Sequence, residues 1–541
     1  MMFLLSALSA VVSPCGEGII FASLFRSQAV LQREPATPSI FGTAPPRAVL
    51  NVTISKHTQQ VATDRHGRWK TSLPAQPAQW NVSLEVRLAN STSCAPVAVT
   101  VSFGETLLCS GQSNMGMPVV ATTPCCKLPP GQQPKGCHCF QANNGTAEVE
   151  AAGRYAGKVV LAGVSGFQRD HNGTYCPYPW TNRSCVSQPE WNAVVPGGAG
   201  TVAKFSAICW YTGTALFDSL GGNVPVGLIA GAVGGSPIEF WLPPGSVNNT
   251  AHCGVDAPPC DSGGKNGYRD SDFYNQLIFP FTPYTIGSVV WDQGERDVHC
   301  LPQPDGGAGP ENHTIRYGCM LHELVRSWRA AFDSQFGFVT IQLPGYLGDC
   351  GTYEQCMAEV FPMRLQQQAG LLGLDSDAAM ATVTPTYDLG CPFSAGKTAI
   401  CPFGPVHNVF KRPIGARVGL QIITGIERRQ QRGWHEHPNH TQAVEAASTS
   451  AETSQWPGPT LQSVRAAKVS ADSVKVNVTY EVPLSQAPTL NCAACCTKGN
   501  VGDFDASFDG GATWINGTRP TLTADQKTLQ FTLTATGGKP V

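Results

Sequence analysis

Apolar and polar positions follow two different rhythms along this chain. Over residues 19–100 short runs with a period of two stand between turn residues, among them 48–54 (AVLNVTI), 81–88 (NVSLEVRL) and 97–103 (VAVTVSF). A two-residue period sends alternate side chains to opposite faces, and no long helical period interrupts it, so residues 16–103 are expected to form an antiparallel β domain. From Thr106 the rhythm changes. Continuous apolar runs that read as fully buried strands occur at 106–109, 225–232 (PVGLIAGA), 285–291 (TIGSVVW), 337–343 (GFVTIQL) and 379–383. Between them lie helical patterns at 203–220, 316–332, 360–372 and 418–426. Alternation of this kind predicts a parallel sheet covered on both faces, over residues 104–432.

Two stretches break the pattern. Residues 122–196 are rich in Cys, Pro, Gly and Asn and read as a long surface excursion stapled by disulfides. Residues 433–455 read as a linker, after which 462–482 and 521–533 return to β patterning, so 456–541 are expected to be a second β domain. The first residues, MMFLLSALSAVV followed by Ser13, Pro14 and Cys15, have the apolar core of a secretory signal, assigned to 1–15, although no Lys or Arg precedes it.

Composition narrows the classes. In 541 residues, 42% are apolar and 14% charged, enough apolar material for a large core. A net charge of -2 gives no electrostatic footprint for nucleic acid, and no later apolar run reaches the length of a membrane span. Sequons lie at Asn51, Asn81, Asn90, Asn144, Asn172, Asn182, Asn248, Asn312, Asn439, Asn477 and Asn516. With 21 cysteines, many in close pairs within Gly/Pro-rich stretches, they point to the secretory pathway, secreted or lysosomal. Two clusters carry metal-like residues. Cys125-Cys126 with Cys137-His138-Cys139 fits disulfides better than zinc, and His435-Glu436-His437 with His440 lacks the spacing that sets two histidines on one helical face.

In an open parallel sheet, ligands gather at the carboxyl ends of the strands. Four such ends carry chemistry here. Residues 107–115 run from strand through Ser110-Gly111-Gln112 to Ser113, a hydroxyl at a helix start beside free backbone N–H groups; the same serine could merely cap the helix. Residues 231–241 bring Gly234-Gly235, whose backbone can approach a ligand closely. Residues 291–297 place Gln293 and Glu295 past a buried strand, and 402–407 end in His407. A nucleophile, a base, a carboxylate and oxyanion donors on one rim are the inventory of acyl transfer.

The blocks also carry a resemblance. Ser110-Gly111-Gln112-Ser113-Asn114-Met115 is similar to the nucleophile block of the sialate O-acetylesterases, in the SGNH hydrolase superfamily. Val30-Leu31-Gln32, Gly234 to Glu239 with Trp241, Gln293-Gly294-Glu295, and Asp388-Leu389 with residues 402–407 resemble the family's further blocks in the same order. The resemblance implies a three-layer α/β/α sandwich with flanking antiparallel β domains, and metal-free, cofactor-free hydrolysis of acetyl esters on sugar hydroxyls. Ser113 then matches the nucleophile and His407 the base, with the Ser113 N–H, Gly235, Gln293 and Gln112 around the oxyanion and substrate. Many SGNH enzymes carry Asp three residues before the histidine; Gly404 stands there, which leaves Glu295 first and Asp388 second as the acid behind His407. Residues 291–293, Trp-Asp-Gln, replace a more usual Tyr before Gln, with an altered pocket wall expected. The chain ends at Val541 where further β sequence is expected. Two other readings stay open: a deacetylase of acetylated xylan or another polysaccharide, and a carbohydrate-binding protein with a decayed site. Oligomeric state is left open.

Overall fold

The structure is a computed structural model that describes residues 18–22, 24–90, 95–122, 144–163, 190–194, 201–246, 270–282, 284–298, 310–345, 353–375, 380–386, 389–390, 403–435, 461–470, 473–480, 505–506, 515–516 and 521–534. The chain divides into two compact units, Met1–Ser450 and Ala451–Val541.

The first unit opens with β1 (Ile20–Phe21), β2 (Ala29–Gln32), β3 (Ser39–Thr43), β4 (Val49–Ile54), β5 (His57–Ala62), β6 (Arg68–Ser72), β7 (Gln79–Leu88) and β8 (Val97–Gly111). β1, β3 and β6 form a small antiparallel sheet, while β5, β4, β7 and β8 pair antiparallel in sequence. β8 has 15 residues, and it joins the two runs expected at 97–103 and 106–109 into one strand. Its first half pairs with β7 and β2, and its second half, from Glu105, pairs in parallel with two strands of the central sheet. The change of pattern at 103/104 is therefore internal to one strand. At the handover Gly104 lies so close to Pro225 that an added Cβ would stand 1.9 Å from its carbonyl oxygen. Glu105 is buried there, accepting from Arg33 Nε at 2.8 Å and Gln32 Nε2 at 3.0 Å, which pins β2 to β8.

The chain continues through α1 (Ser113–Gly116), α2 (Gly145–Ala151), β9 (Val159–Gly163), β10 (Glu190–Ala193), α3 (Ala207–Ser219), β11 (Val226–Ala232), β12 (Ser288–Asp292), α4 (Glu295–Val298), α5 (Pro310–Phe332), β13 (Gly337–Ile341), α6 (Tyr353–Ala369), β14 (Ala381–Thr384) and α7 (Lys411–His435). The central order is β10-β9-β11-β8-β12-β13-β14, parallel except for β10. The stretch 122–196 is thus not wholly a surface excursion: β9 supplies a strand of the core sheet, with Val159, Val160, Leu161 and Ala162 buried. The paired cysteines of that stretch and the residues of the expected signal lie outside the described residues.

Alternation along the strands divides the core into two layers. Leu107, Cys109, Leu228, Val290 and Val339 point to one face, against Ile208 and Trp210 of α3 and Ile414, Val418 and Ile422 of α7. Leu108, Ile229, Val289, Trp291 and Phe338 point to the other, against Met320, Leu324 and Trp328 of α5 and Met363 of α6. The fold is the expected three-layer α/β/α sandwich with flanking antiparallel strands. A disulfide, Cys109–Cys209, joins β8 to α3. No described helix is long and apolar enough to cross a membrane.

In the second unit β15 (Leu461–Ser470) and β16 (Ser473–Tyr480) form a hairpin; short β17 (Asp505–Ala506) and β18 (Ile515–Asn516) pair with each other; and β19 (Thr521–Leu522) and β20 (Thr528–Thr534) complete an antiparallel sheet of order β15-β16-β20-β19. Val474, Val476 and Val478 are buried at every second position, facing Leu529 and Phe531.

Candidate active site

Three parallel strands end level with one another. Gly111 at the end of β8 lies in register with Ala232 of β11 and Asp292 of β12. The turns that follow therefore emerge on one rim. Gly111 has φ +136°, and an added Cβ would lie 2.1 Å from the Asp292 carbonyl oxygen, so only glycine fits between the strands. Gln112 N–H then donates to that carbonyl at 2.9 Å, and the next residue, Ser113, begins α1. The first N–H groups of a helix have no partner within it, so Ser113 offers a hydroxyl and a backbone donor together.

His407 reaches this turn from the loop before α7, with Nε2 2.7 Å from Ser113 Oγ. Burial lowers the histidine below its ordinary value, and the charge of Lys411 lowers it further; a hydrogen bond to the Phe403 backbone works the other way. The glycine pair closes the other side. A Cβ on Gly234 would stand 3.4 Å from Ser113 Cβ, while one on Gly235, at φ +70°, would meet open space. Ser113, His407 and the Gly234-Gly235 turn are thus brought together.

The remaining expected residues lie beneath. Gln293 is fully buried and its amide nitrogen is committed to the Ser236 carbonyl at 2.9 Å, to Gln112 Oε1 at 3.5 Å and to Asp297. These bonds tie Gln293 to the glycine turn and to Gln112. Gln112 also turns inward, donating to Glu295 Oε2 at 2.6 Å. Glu295, expected first behind His407, has its oxygens taken by Gln112 and Asn114, both on the serine turn. The His407 ring is also hydrogen-bonded to the Phe403 backbone. Asp388 lies outside the described residues.

Two side chains that motif reading passed over complete the layer. Lys411, first residue of α7, is fully buried and donates from Nζ to Asn114 Oδ1 at 2.6 Å. Asn114 Nδ2 donates to Glu295 and to the Val406 carbonyl, the latter at 3.0 Å. Asp292 is buried and feels the charge of this lysine, so it is an ionisable group of the interior. Burial, with the charge of Glu295, raises Asp292 to about 8, and burial raises Glu295 as well. Burial lowers Lys411 to about 8 against the pull of both carboxylates. A signal for Lys411 existed: Lys411, Ile414, Val418 and Ile422 share one helical stripe, and a lysine in an apolar stripe is buried with a partner. Among the described residues, no group of three or more His, Cys, Asp or Glu is placed to hold a metal ion.

Comparison with known proteins follows the same lines. No protein-family model matches the chain. The sialate O-acetylesterase of Homo sapiens is 26% identical over 434 residues, 75% of this chain and 70% of that protein. This chain is similar in sequence to the sialate O-acetylesterases. The Rattus norvegicus sialate O-acetylesterase is 27% identical over 392 residues, 64% of each chain. Among solved structures, a carbohydrate acetylesterase from Xanthomonas citri superposes with a TM-score of 0.61, covering 97% of this chain and 93% of that one at 20% identity, a likeness of fold.

Proposed function

We propose that this chain hydrolyses acetyl esters on sugar hydroxyls, with O-acetylated sialic acids as the preferred class, through a Ser113–His407 pair. The observation that carries the reading is the 2.7 Å contact between His407 Nε2 and Ser113 Oγ, on a strand-end rim beside a glycine turn. The names of the curated relatives support the sialic-acid class.

In this reading the Phe403 backbone holds one ring nitrogen of His407, which leaves the other to accept the Ser113 proton. Burial disfavours the imidazolium in the resting site, so the base is neutral and ready near pH 7. Ser113 Oγ attacks the acetyl carbonyl, and the oxyanion is met by the backbone N–H groups of Ser113 and Gly235. One such donor is worth roughly 3–4 kcal/mol in the transition state. His407 returns the proton to the sugar oxygen as the ester bond breaks, leaving an acetyl group on Ser113. A water, deprotonated by His407, then releases acetate. The sequons and the Cys109–Cys209 disulfide support a secretory-pathway setting.

The test is acetate release from O-acetylated sialosides and from acetylated xylan, by wild type and Ser113→Ala. Release from the sialosides by wild type alone is expected. Release from xylan in preference moves the substrate to plant polysaccharide, and equal release by Ser113→Ala removes the serine from the chemistry.

A further inference from the structure

Below the Ser113–His407 contact, both turns are tied to one buried cation. Asn114 follows Ser113, and Val406 precedes His407; Asn114 Nδ2 donates to the Val406 carbonyl at 3.0 Å, so one amide spans the two turns. That amide works only in one orientation. Its oxygen must face Lys411 Nζ, 2.6 Å away, because an ammonium only donates, and its nitrogen must face the Val406 carbonyl, 3.0 Å away, which only accepts; Nδ2 also donates to Glu295. Flipped, it would set N–H against ammonium and oxygen against oxygen. Lys411 and the Val406 carbonyl therefore hold the orientation together, the lysine from a position four residues beyond His407 at the start of α7.

We propose that Lys411 is a positioning residue for the Ser113–His407 pair: it orients the Asn114 amide that ties the two turns together, and it sets its charge against the imidazole. This rests on the esterase reading above. The charges gathered around the lysine are Asp292 from β12 and Glu295 from α4, and Lys411 itself acts on His407. Two buried carboxylates against one cation leave room for one proton between them, in line with the upward displacement of both acids. Removing the cation relieves His407 of a neighbour that opposes its protonation, so the histidine takes up a proton more readily. Removing the Glu295 charge leaves Lys411 less compensated and acts in the opposite sense.

The experiment measures kcat and KM against pH with 4-nitrophenyl acetate for wild type, Lys411→Met, Glu295→Gln, the Lys411→Met/Glu295→Gln double variant and Ser113→Ala, with thermal melting of each. Lys411→Met is expected to lower kcat on the order of tenfold to a hundredfold with little change in KM, as a displaced catalytic pair does. Its acid limb moves to higher pH, and that of Glu295→Gln to lower pH. If Lys411→Met does not fold, the double variant, which leaves no unpaired carboxylate beside a missing cation except a protonated Asp292, is read in its place on kcat, where the same loss is expected and wild-type kcat overturns the proposal; its acid limb lies between those of the two single variants, because the two lost charges act in opposite senses. A folded lysine variant with wild-type kcat, or with the acid limb unmoved, overturns the proposal. Full turnover by Ser113→Ala overturns the esterase reading instead, so the two failures are told apart.

Discussion

Replacing Gly111 by alanine tests whether the strand end places the nucleophile. The new Cβ would lie 2.1 Å from the Asp292 carbonyl oxygen and 2.7 Å from its carbon, where contacts below 3.0 Å force a shift. The obstacle is backbone of a central strand, so β8 and β12 must part by roughly 1 Å at the residue two places before Ser113. A misplacement of about 1 Å costs about a hundredfold in rate, or about 2.7 kcal/mol of transition-state stabilisation. The φ of +136° adds about 1–3 kcal/mol of strain to the folded state. The assay is kcat/KM for 4-nitrophenyl acetate on the alkaline side of the acid limb, with a thermal melt. Gly157→Ala is the control: its φ is +70°, its Cβ meets nothing within 4 Å, and it precedes β9, so it should lose about 1 kcal/mol of stability and no activity. Wild-type kcat/KM in Gly111→Ala, or equal loss of activity in both variants, refutes the reasoning.

Three other outcomes follow from the structure. The acid limb of kcat/KM should lie below 6.5, because burial and Lys411 hold His407 neutral to lower pH than an ordinary histidine; a limb above 6.5 in the pH–rate profile would contradict that environment. Glu105→Gln leaves buried Arg33 without its carboxylate and should cost about 3 kcal/mol in denaturant unfolding, while a variant as stable as wild type would show that the pair does not pin β2 to β8. The Cys109→Ala/Cys209→Ala variant opens a loop of sequence separation 100 and should lower stability by about 2–5 kcal/mol by the same measurement.

The parallel sheet was legible because its strands are buried on both faces and so read as unbroken apolar runs. The serine turn alone reads equally well as a helix cap; it was legible because the glycine, Gln-Gly-Glu and histidine blocks follow it in order. β9 was not, since four apolar residues sit inside a stretch dominated by Cys, Gly and Pro. The unity of β8 was hidden by Gly104-Glu105, which looks like a break until Gln32 and Arg33, more than 70 residues earlier, neutralise the glutamate. Glu295 was visible as a carboxylate on the rim, but its bonding to Gln112 and Asn114 spans about 180 residues of sequence and cannot be read from spacing. Gln293 shows the same limit: an amide in the right block turns inward because Ser236, Gln112 and Asp297 all accept from it.

The most direct test of the account is whether an acetyl group passes through Ser113. Rapid acid quenching during turnover of an O-acetylated sialoside, followed by peptide mass spectrometry, should find one acetyl group on the peptide that contains Ser113, and none in Ser113→Ala. Steady turnover with that peptide unmodified, or with the acetyl group on another residue, would contradict it.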